Sequence, residues 1–396
     1  MGMRVSFGRA RLCVATLFFV NGFVFASWVP HIPAVKQSLG LSEAGLGALL
    51  LAIAAGSIVT LPCAGWLVSR FGSRPITALA ALGFCAALPL PLLAGTLAAT
   101  AAALALFGAF NALLDVAMNA QAVEVERRYA RPILSSFHGL FSLGGLAGAA
   151  TAGGAMAIGA SDPQHVITIS AATLVVVAVA LPGLLRVPPA AREGPMLARP
   201  TGALALLGLL TFLALMTEGA IADWSAVYLR EALATDAATA AAGFAAFSAT
   251  MAAGRFSGDW LAARIAPSRL LTASATVAFA GLATCAITAE PLVAIAGFGL
   301  AGLGIANAIP LTFSAAGRVQ GVAPGVALAA VASTGYCGYL AGPALIGLVS
   351  EAGGLASGIG FVAAACALLT LGGRWIVNPS ESGEIAPSRD RSFSAS

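Results

Sequence analysis

The sequence predicts an all-α membrane protein with twelve transmembrane helices arranged in two pseudo-symmetric six-helix bundles. Of the 396 residues, 59% are hydrophobic and only 9% are charged, which is the balance of a chain whose solvent is mostly lipid. The apolar residues fall into twelve long runs, and several short patterns recur about 194 residues apart. The net charge of +4 has to be interpreted loop by loop, and it does not indicate nucleic-acid binding.

Twelve segments are long enough to cross a bilayer. A helical crossing needs about 20 mostly apolar residues. Open strands are excluded, because lipid would leave their backbone groups without hydrogen bonds. We number the segments as spans 1 to 12, and they cover residues 11–32, 43–66, 75–95, 97–124, 134–159, 163–186, 202–229, 238–262, 268–289, 291–316, 323–350 and 354–377.

The basic residues orient these spans. With the N-terminus in the cytoplasm, seventeen of the twenty Lys and Arg residues lie in cytoplasmic segments. Only Lys36 and Arg230 lie outside, and Arg255 lies within span 8. This is the positive-inside bias of membrane proteins. We therefore expect a bacterial inner-membrane protein that crosses the membrane many times and has both termini in the cytoplasm.

A polar stretch divides the chain into two similar halves. We predict an N-terminal six-helix bundle over residues 1–186, a cytoplasmic linker over 187–201, a C-terminal six-helix bundle over 202–377 and a disordered cytoplasmic tail over 378–396. Such weak repetition is typical of transporters that bind their solute between the halves. The repeated positions pair Gly144, Gly148 and Gly153 of span 5 with Gly338, Gly342 and Gly347 of span 11, and Trp28 of span 1 with Trp224 of span 7.

The loop between spans 2 and 3 carries a motif. It reads GWLVSRFGSR and places Gly65, Arg70, Gly72 and Arg74 in the pattern GxxxxRxGxR, and a partial copy containing Arg264 follows span 8. Together with the two-half arrangement, this motif resembles the major facilitator superfamily over the whole chain. The resemblance implies a gating role for these five residues, in which the loops clamp the two halves on the cytoplasmic side.

Three further strings narrow the resemblance. They are ASWVPHIPAVKQSLGLSEAGLG (26–47), DVAMNAQAVEVE (115–126) and GYLAGPALIGL (338–348). They look like the branch that contains relatives of fucose permease and the MosC/YbjJ-like membrane proteins. MosC-like members are associated with the uptake of rhizopines, which are inositol amines. The gating motif departs from the family pattern at Ser69, and at Ala263 in the second copy, where an acid is usual.

Span 4 carries a polar stripe. Asn111, Asp115 and Asn119 recur every four residues and therefore lie on one helix face. Asp115 lies twelve residues before Arg127, about 18 Å along the helix, which places it near the middle of the membrane. A carboxylate there is either paired or protonated, so we predict that Asp115 couples protons and that the two asparagines bind solute. The alternative is that Asp115 is a packing group hydrogen-bonded to a neighbouring helix.

Other polar and aromatic residues within spans are further candidates, because such side chains are costly in lipid. Glu218 in span 7 is a second coupling or solute-binding candidate, or else a buried pairing group. Asp223 lies closer to the outer surface. Arg255 and Asp259 in span 8 are spaced for an ion pair within one helix. The remaining solute-binding candidates are Asn21, Trp28, Trp224, Asn307 and Tyr336, each of which could instead pack or make one interhelical contact.

Spans 3, 6, 9 and 12 differ from the others because their central parts carry no charged or amide residue. The resemblance implies that these four helices face lipid and that the remaining eight surround a cavity. Acidic cavity groups without a compensating lysine favour neutral or cationic solutes over anions.

We therefore expect a secondary active transporter that is coupled to protons and imports a sugar, an inositol or an inositol amine by alternating access. Its partners would be the solute, protons and the bilayer, and the protein would be a monomer. The alternative is a proton-driven exporter of drugs or metabolites, and a third class is a membrane sensor or an intramembrane enzyme. The sequence has no phosphate-binding Gly-Lys loop and no paired metal ligands, so we predict neither enzyme activity nor a cofactor or metal.

Overall fold

The computed structural model describes residues 7–129, 133–186, 202–320, 322 and 324–374. The predicted linker 187–201 and the predicted tail 378–396 lie outside these residues. All regular secondary structure in the described ranges is helical, as the composition predicted.

Eleven of the described helices are long and apolar enough to cross a membrane, and the 30-residue helix Pro324–Gly353 completes the predicted twelve. Most predicted boundaries agree with the observed ones to within a few residues. Spans 1 to 12 are formed, in order, by Phe7–Trp28, Glu43–Phe71, Ser73–Ala87, Leu97–Tyr129, Leu134–Ala157, Asp162–Ala180, Ala203–Val227, Ala237–Ala262, Pro267–Ile287, Pro291–Ile305 with Ala308–Ala316, Pro324–Gly353 and Leu355–Gly373.

Five spans are interrupted or extended in ways the hydropathy pattern did not predict. Span 3 is interrupted after Ala87 and resumes at Leu90–Leu93, and span 6 ends in a 3-10 turn at Leu181–Gly183. Span 1 passes through a 3-10 turn at Val29–His31 into a second helix, Ile32–Leu39. Span 7 ends in a π-helical turn, Tyr228–Ala232. Span 10 breaks after Ile305 and resumes at Ala308. Pro310 lies in the first turn of the resumed helix, where its missing N–H leaves a carbonyl of the preceding turn without its usual donor.

Spans 3, 6, 9 and 12 are the peripheral helices, as the resemblance implied. They expose large apolar side chains, among them Leu79, Val175, Phe279 and Leu368. Their extensive contacts are all with helices of their own half. An apolar exposed surface of this kind is suited to contact with lipid.

The two halves meet along two seams, one between spans 2 and 11 and the other between spans 5 and 8. Glycine lets the helices approach closely at the first seam. A Cβ atom added at Gly47 would lie 2.6 Å from the carbonyl oxygen of Pro343, and one added at Gly347 would lie 2.7 Å from that of Glu43. At the second seam a Cβ atom added at Gly153 would lie 3.2 Å from that of Ala241.

The two membrane faces of the bundle differ in charge. We call the face at which span 1 begins the arginine-rich face, and the other the arginine-poor face. The arginine-rich face carries Arg70, Arg74, Arg127, Arg128, Arg264, Arg269 and Arg318.

The halves are tied together at the arginine-poor face. Lys36 lies 3.1 Å from the carboxylate of Glu43 in its own half, and it also contacts Glu231 in the other half. The backbone N–H of Ala44 in span 2 donates to Glu351 in span 11 at 3.1 Å. No ion pair among the described residues joins the halves at the arginine-rich face. The molecule is therefore closed at the arginine-poor face.

Candidate solute and coupling site

Polar side chains from both halves meet deep in the bundle, and we call this group the central polar cluster. It is held by five different spans, so its members come together only through the tertiary fold. The cluster consists of Asp115 and Asn119 from span 4, Ser142 from span 5, Glu218 from span 7, Arg255 from span 8 and Tyr336 from span 11.

Asp115 forms one end of the cluster. The Asn119 amide donates to its carboxylate at 3.0 Å, which confirms that the two residues share a helix face. The Tyr336 hydroxyl also lies beside Asp115 and interacts with it, and this contact joins span 4 of one half to span 11 of the other. No cation in the described residues pairs with this carboxylate. Asp115 and Asn119 are half-buried, and Tyr336 is 41% exposed although it lies twelve residues into its helix. Since the arginine-poor face is closed, this exposure indicates a cavity that opens toward the arginine-rich face.

Arg255 forms the other end of the central polar cluster. Its guanidinium lies 3.3 Å from the carboxylate of Glu218 and donates to Ser142 at 2.7 Å. The pair is largely buried, with 14% of the Arg255 side chain and 19% of the Glu218 side chain exposed. The sequence had suggested Asp259 as the partner, but the side chain of Asp259 lies outside the described part. Arg255 also supplies the compensating charge that the sequence analysis did not find, so the inference of an uncompensated acidic cavity holds for Asp115 and is wrong for Glu218.

The predicted asparagines lie on three different spans, and two of them are buried. Asn21 is buried, with its amide 3.7 Å from the sulfur of Met118 and its oxygen without a hydrogen-bond partner. Asn111 is half-buried and forms no hydrogen bond with the described residues. Asn307 is 6% exposed and lies at the break in span 10. Discontinuous helices in transporters often line solute sites, so Asn307 remains a candidate for solute binding.

The two predicted tryptophans do not face the open cavity. Trp28 and Trp224 are each 1% exposed, and the indole N–H of each lacks a hydrogen-bond partner. Trp224 packs beside Gly347 at the seam between spans 2 and 11. Their contribution to solute binding therefore stays a prediction.

Asp223 was placed near the outer surface by its position in span 7, but it is buried. Only 8% of the residue is exposed. It faces a small cavity between the halves, together with Tyr339 and Pro343 of span 11. The sequence carried one signal for this position, namely that an acid precedes Trp224 whereas Ser27 precedes the equivalent Trp28.

The predicted gating residues lie at the arginine-rich face and do not join the halves here. Gly65 is half-buried in span 2, and Gly72 adopts a positive φ of 84° between spans 2 and 3, a value that favours glycine. The Arg70 guanidinium lies 5.7 Å from the centre of the Phe71 ring, and that of Arg264 lies 4.2 Å from the Trp260 ring.

Arg74, the last member of the gating motif, points toward span 6. Its guanidinium lies 3.5 Å from the Pro182 carbonyl. It lines a groove of about 520 Å³ between spans 3 and 6, together with Phe71 and Arg186. This groove lies on the rim, away from the central polar cluster. The gating roles of all five residues stay predictions.

Comparison with known proteins gives a consistent result. The family described as the Major Facilitator Superfamily matches residues 14–327. The chain is 36% identical to the membrane protein MosC of Rhizobium meliloti over 355 residues, which are 89% of this chain and 86% of MosC. It is 35% identical to an uncharacterised MFS-type transporter of Yersinia pestis over 346 residues, which are 87% of this chain and 90% of that protein.

A solved structure supports the fold independently of sequence. A variant of the nucleoside transporter NupG superposes with a TM-score of 0.75 over 92% of this chain and 98% of its own. The sequence identity is 11%, so this likeness concerns the arrangement of helices alone.

Proposed function

Because the chain belongs to the Major Facilitator Superfamily, whose members are transporters rather than enzymes, we propose that it imports a small polar solute together with a proton. The solute would pass through the cavity between the halves by alternating access. The observation that carries this proposal is the carboxylate of Asp115, which contacts Tyr336 of the other half and forms no ion pair among the described residues.

The position of Asp115 links protonation to the movement of the halves. An ionised carboxylate away from bulk water is costly unless it is paired or well hydrogen-bonded. Here the Asn119 amide donates to the carboxylate, and the neutral Tyr336 hydroxyl lies beside it. Tyr336 belongs to the other half, so a movement that separates spans 4 and 11 removes that stabilising neighbour. Protonation of Asp115 then offsets the loss, which couples a proton to the conformational change.

The solute class follows from the side chains around the cavity. The Glu218–Arg255 pair carries no net charge, and the amides of Asn111 and Asn119 offer both donors and acceptors. The Tyr336 ring offers an apolar face against which a sugar or inositol ring can pack. Asp115 adds a single negative charge that a solute amine can pair with. These groups suit a sugar, an inositol or an inositol amine, and a tie to the fucose-permease branch is part of the same proposal.

Counterflow into proteoliposomes tests the proposal directly. Vesicles loaded with inositols, inositol amines, sugars or cationic drugs would be presented with the labelled compound of the same class. We expect counterflow with a polyol or an inositol amine. When the outside is acidified, we also expect the solute to accumulate inside the vesicles against its gradient. The ratio of inside to outside solute should be about tenfold per pH unit for one proton per solute. Counterflow with cationic drugs alone would favour the exporter, and no counterflow with any class would favour a sensor.

The orientation is proposed from the arginine bias. We expect the arginine-rich face to be cytoplasmic, in a bacterial inner membrane, with the protein acting as a monomer. A reporter that works only in the cytoplasm should be active when it is fused after residue 190 or at the C-terminus. A reporter that works only in the periplasm should be active when it is inserted near Asp162 or Asp236, both at the arginine-poor face. A periplasmic C-terminus would contradict this orientation.

A further inference from the structure

Asp223 is a buried carboxylate that the proposed coupling mechanism does not use. It lies four residues before the end of span 7 and is 8% exposed. Its carboxylate forms no hydrogen bond or ion pair with the part of the chain that the structure describes. An ionised carboxylate without a partner costs several kcal/mol in a protein interior, so this side chain is either neutral in the closed molecule or neutralised by a bound cation.

The cavity around Asp223 lies on the seam between the halves. Besides Asp223 it is lined by Phe25 of span 1, by Leu50, Ile53 and Ala54 of span 2, and by Tyr339 and Pro343 of span 11. Its volume of about 10 Å³ leaves room for a single water-sized group. It lies deeper than Glu231, whose contact with Lys36 helps to close the arginine-poor face. Asp223 can therefore become accessible from that face only when the seam opens.

The charged and titratable groups around Asp223 are few. Spans 1 and 2 contribute only apolar side chains to the cavity. Span 11 contributes the phenol of Tyr339, which interacts electrostatically with Asp223 and with Glu218. Glu218, on the same helix as Asp223, is already paired with Arg255. No basic side chain among the described residues lines the cavity, so none of them neutralises Asp223 when the seam closes.

We propose that Asp223 is a second proton-binding site, which is loaded from the arginine-poor side and must be protonated before that face can close. A proton suits the cavity better than a metal ion does. A hard metal cation needs several oxygen ligands, whereas the lining offers only the carboxylate and the Tyr339 hydroxyl. The inference rests on the proposed function in one respect, namely that the halves alternate between two conformations.

The two carboxylates Asp115 and Asp223 would then serve opposite sides of the membrane. In the present conformation Asp115 is half-buried beside the open cavity, whereas Asp223 is sealed. Opening of the arginine-poor face would expose Asp223 to water, where it can ionise. A proton that binds to Asp223 favours closure of the arginine-poor face, and this closure accompanies the opening of the cavity beside Asp115.

A distance measurement tests the proposal without any transported solute. Spin labels would be placed at Gln37→Cys and Ala352→Cys, two exposed positions in opposite halves at the arginine-poor face. The exposed native cysteines Cys63 and Cys337 would be replaced by serine. In the full chain in nanodiscs, we expect the short distance at low pH and a growing population of a longer distance as the pH rises. The closed-to-open ratio should change by up to tenfold per pH unit for one proton.

Three variants make the test specific. Asp223→Asn should keep the short distance at every pH, because the amide is neutral. Asp223→Glu should retain the pH response, which also covers the case in which the asparagine variant fails to insert. Asp236→Asn changes an exposed carboxylate at the same face and should behave like the parent.

Several results would overturn the proposal. They are a parent protein without a pH response, a normal response in Asp223→Asn, a lost response in Asp223→Glu, or a response to Na⁺ at fixed pH in place of a response to protons. The distances would also be measured in Asp115→Asn, which removes any contribution of Asp115 to the pH response. A response that persists in Asp115→Asn and is lost in Asp223→Asn belongs to Asp223, whereas a failure of Asp115 coupling appears in the uptake assay, so the two proposals can fail separately.

Discussion

The two halves of the molecule share their close helix contacts but differ in their charges. A Cβ atom added at Gly144 would lie 2.1 Å from the carbonyl oxygen of Phe19, and one added at the equivalent Gly338 would lie 2.1 Å from that of Phe212. A Cβ atom added at Gly108 would lie 2.0 Å from the carbonyl oxygen of Ile53, and one added at Gly302, 194 residues later, would lie 2.2 Å from that of Phe247. The backbone packing is thus repeated almost unchanged.

The polar side chains do not repeat. Asp223 precedes Trp224 in the second half, whereas Ser27 precedes Trp28 in the first. Ser142 in span 5 corresponds by position to Tyr336 in span 11. Ser142 accepts a hydrogen bond from Arg255, whereas Tyr336 contacts Asp115. Packing and charge therefore have different roles. The symmetric packing allows two equivalent arrangements of the halves, and the asymmetric charges require a different carboxylate to be protonated in each arrangement.

The largest effect on transport is expected from a change at Asp115, the carboxylate of the first half that has no cationic partner among the described residues. Asp115→Asn should abolish uptake driven by a pH gradient while sparing much of the solute exchange, because an amide keeps the size and hydrogen bonding but cannot titrate. Accumulation should fall from about tenfold per pH unit to none. Uptake and counterflow into the same vesicles would measure this, with Asp236→Asn as the control. Accumulation at the parent level would rule out Asp115 as the coupling group.

The second prediction concerns the paired charge of the other half. Glu218→Gln and Arg255→Gln should each destabilise the protein by about 2 kcal/mol, because each leaves one largely buried charge without its partner. The double variant should recover most of this loss. A double-mutant cycle on thermal unfolding in detergent measures the coupling. Glu218→Gln should still accumulate solute under a pH gradient. Lost accumulation in this variant together with normal accumulation in Asp115→Asn would show that Glu218, and not Asp115, is the coupling group.

The third prediction compares the two seams. Gly347→Ala should weaken closure of the arginine-poor face by about 1 kcal/mol or more, because the added methyl group meets the rigid backbone of Glu43 at 2.7 Å. Gly153→Ala, the equivalent change, should have a smaller effect, because the Cβ atom of Ala241 at 3.2 Å and the carbonyl oxygen of Ala238 at 3.3 Å are both farther from the added methyl group. The label pair at residues 37 and 352 reports closure in both variants. Equal shifts in the two variants would show that the seams are not distinguished by these contacts.

The smallest effect on stability is expected at the gating arginines. Arg70→Ala and Arg264→Ala should each change the free energy of unfolding by no more than about 0.5 kcal/mol, because both side chains lie at the surface and contact an aromatic ring of their own half. Transport should slow several-fold while the solute affinity stays nearly unchanged. Rates of exchange and half-saturation in counterflow separate the two effects. A loss of affinity at an unchanged rate would place these residues in the solute site.

Much of the fold was determined by the sequence alone. The twelve spans and their approximate ends follow from local composition, because lipid requires each crossing to satisfy its own backbone hydrogen bonds. The peripheral position of spans 3, 6, 9 and 12 was implied by the resemblance to the superfamily. The contact between Asn119 and Asp115 was equally predictable, since residues four apart share a helix face.

The tertiary structure alone decided which polar groups meet. Tyr336 contacts Asp115 from a distant helix. Arg255 donates to Glu218 and Ser142, which are 37 and 113 residues away. It also decided that Asp223 and the two tryptophans are buried in this conformation. A helical pattern indicates which residues share a face, but not which neighbour that face meets or how deeply the seam encloses it. Those depend on the rotation and approach of whole helices, which are set by close contacts such as that of Gly347 with Glu43.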